Sequence, residues 1–223
     1  NTNRLVMQVE AAIAGAQADY GIIPREAANE IAEKADPTYA PLDEIEAERE
    51  IVRHRMVALL NVWRRNLSPE AAEALHFGVT TVDVYDMVMV LQVLETLDLI
   101  EREMLLLEEE LACLAAAHKP TPMIGRTLGQ HALPITFGKK VSVWAAQNRR
   151  NLERLDEVRA RLRRVGVLKG AVGTYLGLGD RAMLVEQEVS RRLGLDPPEP
   201  ADWRAARDVF AEYAQVLELM ARS

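Results

Sequence analysis

The sequence is poor in several features that mark particular classes of protein. Its 223 residues include one cysteine, so no disulfide can form within it and a reducing compartment is its natural setting. No uninterrupted apolar run approaches the roughly 20 residues of a membrane span, and the first residues lack the cleavage pattern of a signal peptide. These absences predict a soluble, cytoplasmic protein with no membrane partner. Cys113 lies in a helical pattern and is predicted to be a small core residue.

Long basic runs are absent as well. The formal net charge is −7 at pH 7, with acidic and basic residues interspersed, which argues against a nucleic-acid partner. No metal-binding spacing such as H-E-x-x-H occurs. Segment 166–179 holds five glycines, but it fits neither a Walker loop nor a dinucleotide fingerprint. We therefore predict neither a metal nor a cofactor, and we interpret this segment as close backbone packing or a loop at the edge of a site.

Apolar residues recur at helical spacing over most of the chain. Residues 82–118 contain neither proline nor glycine, which predicts a helix of about 36 residues and roughly 54 Å. A second long helix is predicted from Pro134 to Val165, with an apolar seam near 3.5-residue spacing. Shorter helical patterns occupy residues 5–19, 24–35, 42–65, 69–76 and 202–223. We predict an all-α fold, a bundle of long helices whose apolar seams favour self-association.

The same patterns divide the chain into two predicted domains. Residues 1–78 are predicted to form an N-terminal helical domain, and residues 79–223 a central domain of long helices. The last helical pattern has no closing glycine, asparagine or proline where the sequence stops at Ser223. We therefore expect the polypeptide to continue beyond this residue.

Polar residues suited to chemistry concentrate between the two long helical patterns. Four such residues lie within six positions of one another: Arg126, Thr127, Gln130 and His131. A loop that only had to be soluble would not need this combination of side chains. Their guanidinium, hydroxyl and amide groups are suited to holding a carboxylate. We predict a reactive polar turn here, with Pro134 opening the helix that follows.

A second polar segment lies at the start of the first long helix. Thr80 and Asp83 have the spacing of a capping box. The hydroxyls of Thr80 and Thr81, with the exposed N–H groups of a helix start, are suited to binding another carboxylate. His76 precedes this segment, and His54 is predicted to lie in the middle of an earlier helix.

Both polar segments resemble motifs of the fumarase/aspartase superfamily. HFGVTTVD at His76–Asp83 resembles H-[FY]-G-x-T-[ST]-x-D, and TPMIGRTLGQHALPITFG at Thr121–Gly138 resembles T-P-M-x-G-R-T-x-x-Q-H-A-x-P-x-T-F-G. GAVGT at Gly170–Thr174 and W-x-x-x-R-D at Trp203–Asp208 are similar to the branch that holds adenylosuccinate lyases and 3-carboxy-cis,cis-muconate cycloisomerases. The resemblance covers essentially the whole chain and specifies the superfamily better than the substrate.

The resemblance implies a homotetramer with a central bundle of long helices and active sites built from three subunits each. It implies elimination of a leaving group from a substituted succinate, usually giving fumarate, without a cofactor. The general base would be a serine on a mobile loop that lies beyond Ser223 in the family order. Carried onto this sequence, the motifs assign His131 and His76 as catalytic and a further set as substrate-binding: Thr80, Thr81, Arg126, Thr127, Gln130, His54 and Arg207.

One departure from the family pattern concerns the leaving group. Adenylosuccinate lyases and most fumarases carry a histidine where this chain has Leu128, and that histidine assists the departing group. A leucine cannot move a proton, which matters least for a weakly basic leaving group. We therefore expect a lyase that expels a weakly basic or otherwise activated group, such as nitrite or an amino group, from a β-substituted succinate.

Three alternatives stay open. A 3-carboxy-cis,cis-muconate cycloisomerase is the first, although that group usually has tryptophan at the position of Leu128 and His-Thr where this chain has Arg204 and Ala205. An adenylosuccinate lyase is the second, disfavoured by the missing histidine. A catalytically inactive helical scaffold is the alternative that is not an enzyme.

Overall fold

A computed structural model describes residues 2–223. The helices and strands, in chain order, are α1 Thr2–Asp19, α2 Arg25–Glu33, α3 Leu42–Val52, α4 Arg55–Arg64, α5 Pro69–Ala74, α6 Thr81–Ala117, β1 Pro122–Thr127, β2 Gln130–Thr136, α7 Phe137–Leu162, α8 Ala182–Arg192 and α9 Asp208–Arg222. Short 3₁₀ turns lie at Pro37–Tyr39 and Gly179–Arg181.

The chain is predominantly helical, which confirms the predicted fold class. Helix α6 runs without interruption for 37 residues and confirms the first long helix, because no proline or glycine breaks it. Helix α9 begins at Asp208, six residues later than predicted, since residues 202–207 lie outside any helix. Among residues 2–223, no helix combines the length and apolar character needed to cross a membrane.

An antiparallel hairpin of β1 and β2 separates the two long helices, and no sequence pattern predicted it. Pro134 lies within β2, and α7 begins three residues later at Phe137. The prediction that Pro134 opens the helix was therefore wrong. The first five positions of β2 are all exposed, so the alternation of buried and exposed residues that marks a strand is missing. Proline is tolerated because an exposed edge strand needs no donor there.

The predicted helix over residues 42–65 is interrupted at its centre. Arg53 ends α3 with a left-handed φ of 54°, and His54 is the N-cap of α4. The His54 Nδ1 atom accepts a hydrogen bond from the Val57 N–H at 3.3 Å. The prediction of a mid-helix His54 was wrong, because its ring nitrogen satisfies a donor that the start of a helix leaves unpaired.

The chain forms two compact units. The first comprises the chain up to Gln92 together with Leu162–Arg207, and the second comprises Val93–Arg161 together with Asp208–Ser223. Helix α6 contributes to both. This division by contacts differs from the predicted domains 1–78 and 79–223, which stay a prediction about the organisation of the protein.

Helix α1 lies at the centre of the first unit and packs against α2 and α8. Its large buried apolar side chains are Leu5, Val6, Met7, Val9 and Ile13. Two polar residues of α1, Glu10 and Gln17, are also buried. A charged side chain is rarely buried without a partner, so Glu10 requires an explanation.

The second unit leaves much apolar surface uncovered. Within it, Asn148 of α7 donates to the Met104 carbonyl of α6 at 2.9 Å. Large exposed apolar side chains on the helices of this unit are Leu99, Leu105, Leu106, Leu107, Leu114, Val143, Trp144 and Leu219. Cys113 is exposed as well, so its prediction as a core residue was wrong: it lies on a part of α6 that packs little within this chain.

Candidate functional site

The hairpin carries the first group of predicted site residues at its tip. Thr127 pairs with Gln130, and Arg126 pairs with His131. Side chains of directly paired residues share one face of a sheet, and successive residues alternate between faces. Thr127 and Gln130 therefore share one face, and Arg126 and His131 share the other. All four are exposed, and none has a side-chain hydrogen bond to another residue within 2–223.

The turn that joins the two strands consists of Leu128 and Gly129. Their φ angles are 49° and 75°, and two positive values are what a type I′ hairpin turn requires. Gly129 adopts this conformation without strain. Leu128 is strained there, because in left-handed backbone its Cβ lies close to the following carbonyl oxygen. The Leu128 side chain is fully exposed. The tip of the hairpin thus exposes an apolar side chain between Thr127 and Gly129.

The base of the hairpin is anchored to both long helices within the second unit. The Phe137 N–H donates to the Thr121 carbonyl at 2.9 Å, and the Gly138 N–H donates to the His118 carbonyl at 3.0 Å. The His118 ring stacks edge-on against Phe137 at 5.1 Å between centroids. A Cβ at Gly138 would overlap the Ala115 carbonyl. These contacts give His118 a structural role and fix the direction of the strands.

The second group of predicted residues lies at the start of α6 in the first unit. The Asp83 carboxylate accepts hydrogen bonds from the N–H groups of Thr80, Lys169 and Gly170 at 3.2, 3.2 and 3.1 Å. The bond to Thr80 is the acidic half of the predicted capping box. Burial is the largest influence on Asp83 and raises its pKa, while the three hydrogen bonds oppose that shift. Asp83 therefore ties the start of α6 to the glycine-rich segment.

A cavity of about 360 Å³ opens beside this connection. Its lining residues are Gly78, Val79, Thr80, Lys169, Gly170, Ala171, Val172, Thr174, Leu176 and Gly177. Two sequence motifs, HFGVTTVD and GAVGT, thus line one cavity. A Cβ at either Gly78 or Gly177 would overlap the carbonyl oxygen of the other. Gly78 and Gly177 thus allow close backbone packing at the edge of this cavity, as predicted for the glycine-rich segment.

A buried polar network supports the far side of the glycine-rich segment. The Lys169 Nζ donates to the carbonyls of Glu199 and Pro200 at 2.5 and 3.2 Å. The Tyr175 hydroxyl donates to Glu186 at 2.6 Å, and Glu186 also accepts from the Leu168 N–H at 2.8 Å. Burial lowers the pKa of Lys169 and raises the pKa of Glu186. Because these groups bond to one another or to backbone, the network serves structure.

His76 lies just before the cavity and has a partner that sequence reasoning missed. Its Nδ1 atom lies 2.6 Å from Oε1 of Glu10, whose side chain is completely buried. The available signal was a carboxylate on the apolar face of α1, between Val9 and Ile13, where helical spacing places core residues.

Arg207 and His54 complete the set of predicted residues. Arg207 contacts both carboxylate oxygens of Asp86 at 3.2 and 2.9 Å, one turn after Asp83 on α6. His54 uses one ring nitrogen as a helix cap. The predicted site residues therefore fall into two groups: His54, His76, Thr80, Thr81 and Arg207 belong to the first unit, whereas Arg126, Thr127, Gln130 and His131 belong to the second. Within residues 2–223, no three His, Cys, Asp or Glu side chains gather as metal ligands.

Comparison with known proteins identifies the family. A family model described as a lyase matches residues 2–223. The chain belongs to this lyase family of the fumarase/aspartase superfamily. N-acetyl-S-(2-succino)cysteine lyase of Dickeya dadantii is 41% identical over 220 residues, which are 98% of this chain and 48% of that protein. Adenylosuccinate lyase of Methanocaldococcus jannaschii is 37% identical over 218 residues, 98% of this chain and 47% of that protein.

Two solved structures share the fold of this chain. A fumarate lyase from Mesorhizobium sp. BNC1 is 40% identical with a TM-score of 0.91, over 98% of this chain and 51% of that one. A 3-carboxy-cis,cis-muconate lactonizing enzyme from Pseudomonas putida is 32% identical with a TM-score of 0.89, over 98% and 50%. The chain thus spans about half the length of the curated relatives and solved structures that it matches.

Proposed function

We propose that this chain is part of a lyase that eliminates a weakly basic leaving group from a 2-substituted succinate and releases fumarate. The observation that carries the proposal is Leu128 at the tip of the hairpin. It is fully exposed and directly follows Thr127, so it lies beside residues suited to the substrate and cannot protonate the departing atom. A weakly basic anion leaves without such help.

The names of two relatives support a thiolate as this leaving group. N-acetyl-S-(2-succino)cysteine lyases of Dickeya dadantii and Enterococcus italicus are 41% and 37% identical to the chain. The compound in their name, N-acetyl-S-(2-succino)cysteine, is a succinate that carries a sulfur substituent at carbon 2, so its leaving group is a thiolate. A thiol has a pKa of about 8.5, against about 10.4 for an alkylammonium group. The thiolate is thus less basic than an alkylamine, and nitrite belongs to the same weakly basic class.

Two sets of donors would hold the two succinate carboxylates. Thr80 and Thr81 offer hydroxyls at the start of α6, where Thr80 lines the cavity. Thr127 and Gln130 share one face of the hairpin tip and are the second pair. Removal of the proton next to a carboxylate creates a dianion, which these donors would stabilise. The general base would be the serine expected beyond Ser223.

The remaining predicted residues take supporting roles in this proposal. Arg126 and His131 share the other hairpin face and would attract and orient an anionic substrate or handle a proton. His76 is the second proton-handling group. Arg207, held by Asp86, and the free ring nitrogen of His54 would contribute to substrate binding.

We propose a homotetramer in which subunits share active sites. The exposed leucines of α6 form an apolar surface that water disfavours, and a bundle of long helices from several copies would cover it. The exposed hairpin tips would then meet cavities of neighbouring subunits. A cytoplasmic location fits a metabolic lyase of this kind.

A cycloisomerase is the second candidate, favoured by the W-x-x-x-R-D pattern that ends in Arg207 and Asp208. An adenylosuccinate lyase and a catalytically inactive scaffold are the further alternatives. All four can be separated by product analysis. The complete protein would be incubated with N-acetyl-S-(2-succino)cysteine, nitrosuccinate, aspartate, adenylosuccinate and 3-carboxy-cis,cis-muconate, while fumarate and lactone are measured.

We expect fumarate from the thioether or nitro substrate at a rate at least about tenfold above that from adenylosuccinate, whose neutral amine leaves poorly without a general acid. Fastest release of fumarate from aspartate, whose amino group is already protonated, would instead identify the amino group as the leaving group. Lactone as the sole product would establish the cycloisomerase. Fastest release of fumarate from adenylosuccinate would contradict the role given to Leu128. No product from any substrate would favour the scaffold.

A further inference from the structure

Glu10 is a buried carboxylate on the apolar face of α1. Its side chain is completely buried, and Oε2 has no hydrogen-bond donor among residues 2–223. Oε1 contacts the His76 Nδ1 at 2.6 Å. A buried carboxylate costs free energy unless it is paired, and the His76 ring supplies that pairing.

The backbone around His76 is held by other contacts. Gln17 lies seven residues after Glu10, two turns along the same face of α1, and its Nε2 donates to the Phe77 carbonyl at 2.7 Å. Gly78 lies so close to Gly177 that a Cβ on it would be 2.4 Å from the Gly177 carbonyl oxygen. These contacts hold the backbone at residues 77 and 78 without help from Glu10. The hydrogen bond between Glu10 and His76 is therefore not needed to fix the backbone, and its effect falls on the orientation and the proton of the His76 ring.

His76 itself occupies a conformation that favours glycine. Its φ is 66°, and a residue other than glycine in the left-handed region carries a steric cost. Such outliers persist where the surrounding structure determines them, and they cluster at functional sites. The combination of a strained backbone and a buried carboxylate at 2.6 Å holds the ring in one orientation.

We propose that Glu10 is a positioning residue for His76 in the elimination reaction. The Glu10 carboxylate accepts the proton of Nδ1, which fixes the tautomer and leaves Nε2 as the nitrogen that exchanges a proton with the substrate. A carboxylate that orients a histidine in this way sets which ring nitrogen reacts. The catalytic part of this inference rests on the proposed function, whereas the tautomer is a property of the folded protein alone.

The kinetic test compares Glu10→Gln with Gln17→Leu in the complete enzyme. Glu10→Gln keeps the shape and removes the charge, and we expect kcat to fall by about 10- to 100-fold, the effect typical of groups that orient a functional histidine, with KM changed less than about threefold. Gln17→Leu removes the neighbouring buried hydrogen bond from the same helix face. It should lower the melting temperature without a comparable fall in kcat. Equal falls in kcat for both variants would overturn the positioning role.

The spectroscopic test needs no turnover. Solid-state ¹⁵N NMR of the histidine-labelled complete protein, with His76→Gln to assign the signal, reports which ring nitrogen carries a proton. We expect a protonated Nδ1 in the wild type and a loss of that preference in Glu10→Met. An unprotonated Nδ1 in the wild type would overturn the inference even if the enzyme makes fumarate. A protonated Nδ1 in a protein that makes no fumarate would contradict the proposed function and leave the positioning of His76 standing.

Discussion

The Asp83 carboxylate accepts a hydrogen bond from the Gly170 N–H at 3.1 Å, joining residues 87 positions apart in the chain. Through this bond and those from Thr80 and Lys169, one side chain holds both walls of the cavity: the start of α6 and the glycine-rich segment. Within the first unit, Asp83 therefore helps to fix the geometry of the cavity although it is not among the lining residues.

Asp83→Ala should be strongly destabilising. It leaves three backbone N–H groups near a buried position without their acceptor, and the cost of such unpaired donors suggests a loss of about 3 kcal/mol in the free energy of unfolding. Asp83→Asn keeps one acceptor oxygen and should lose less. Urea unfolding of the two variants beside the wild type checks this order. Similar stabilities for wild type and Asp83→Ala would show that the hydrogen bonds contribute nothing.

The pH dependence of this contribution has a definite sign. Burial raises the pKa of Asp83 above its usual value of 3.8, so at a pH between that value and the folded pKa the folded state binds a proton that the unfolded state has released. Stability from this group therefore falls as the pH rises through that window. Relative to Asp83→Asn, the wild type should gain stability as the pH is lowered toward 3.8. A relative loss would mean that the three hydrogen bonds outweigh burial.

Thr127→Val in the complete enzyme should reduce turnover far more than stability. Thr127 is exposed on a strand, where valine is well tolerated, but a donor to the charged intermediate is lost, which costs about 10²- to 10³-fold in kcat. Thr80→Val should behave in the same way. The matched control is Thr136→Val on the same hairpin, since the Thr136 hydroxyl accepts from the Lys139 N–H and is remote from the tip. Loss of melting temperature in proportion to activity would count against a catalytic role for Thr127.

Leu128→His should broaden the choice of leaving group. Histidine is among the residues that adopt positive φ more readily, and the exposed side chain has no packing to lose. We expect elimination of an amine to rise at least about tenfold relative to a thiolate, since a general acid assists the more basic group. Leu128→Asn is the control, because it suits the same turn and has no proton to give. If both variants change the ratio alike, backbone strain and not proton transfer is responsible.

The roles of His54 in capping a helix and in binding substrate can be tested separately. His54→Ala removes the acceptor for the Val57 N–H and should cost about 1 kcal/mol of stability. His54→Ser retains a capping oxygen, so its melting temperature should stay close to that of the wild type. The value of kcat/KM then decides the functional role: a fall in His54→Ser without a loss of stability assigns the ring to the substrate, and an unchanged value leaves His54 as a cap only.

Prediction from the sequence succeeded where a helical pattern continued over many consecutive residues. Helix α6 follows from a run without proline or glycine. The helical pattern that begins at residue 69 is confirmed by α5, whose N-cap Ser68 accepts from the Ala71 N–H through its hydroxyl. The hairpin was missed because its strands lie exposed, so burial never imposes alternation on them. His54 was misplaced because an apolar pattern continues on both sides of it, and only the left-handed Arg53 reveals the break.

By itself, the sequence determined the helical class, the long helices and the motifs that place this chain in its superfamily, since each depends on residues near one another in the chain. Tertiary structure alone decided the contacts between distant residues. It paired Glu10 with His76, tied Asp83 to Gly170, and separated Thr127 and Gln130 from Arg126 and His131 on opposite faces of a hairpin. Such pairings depend on which helix face packs against which loop and on the register of two strands. Residues that are close together in the sequence do not determine either of these.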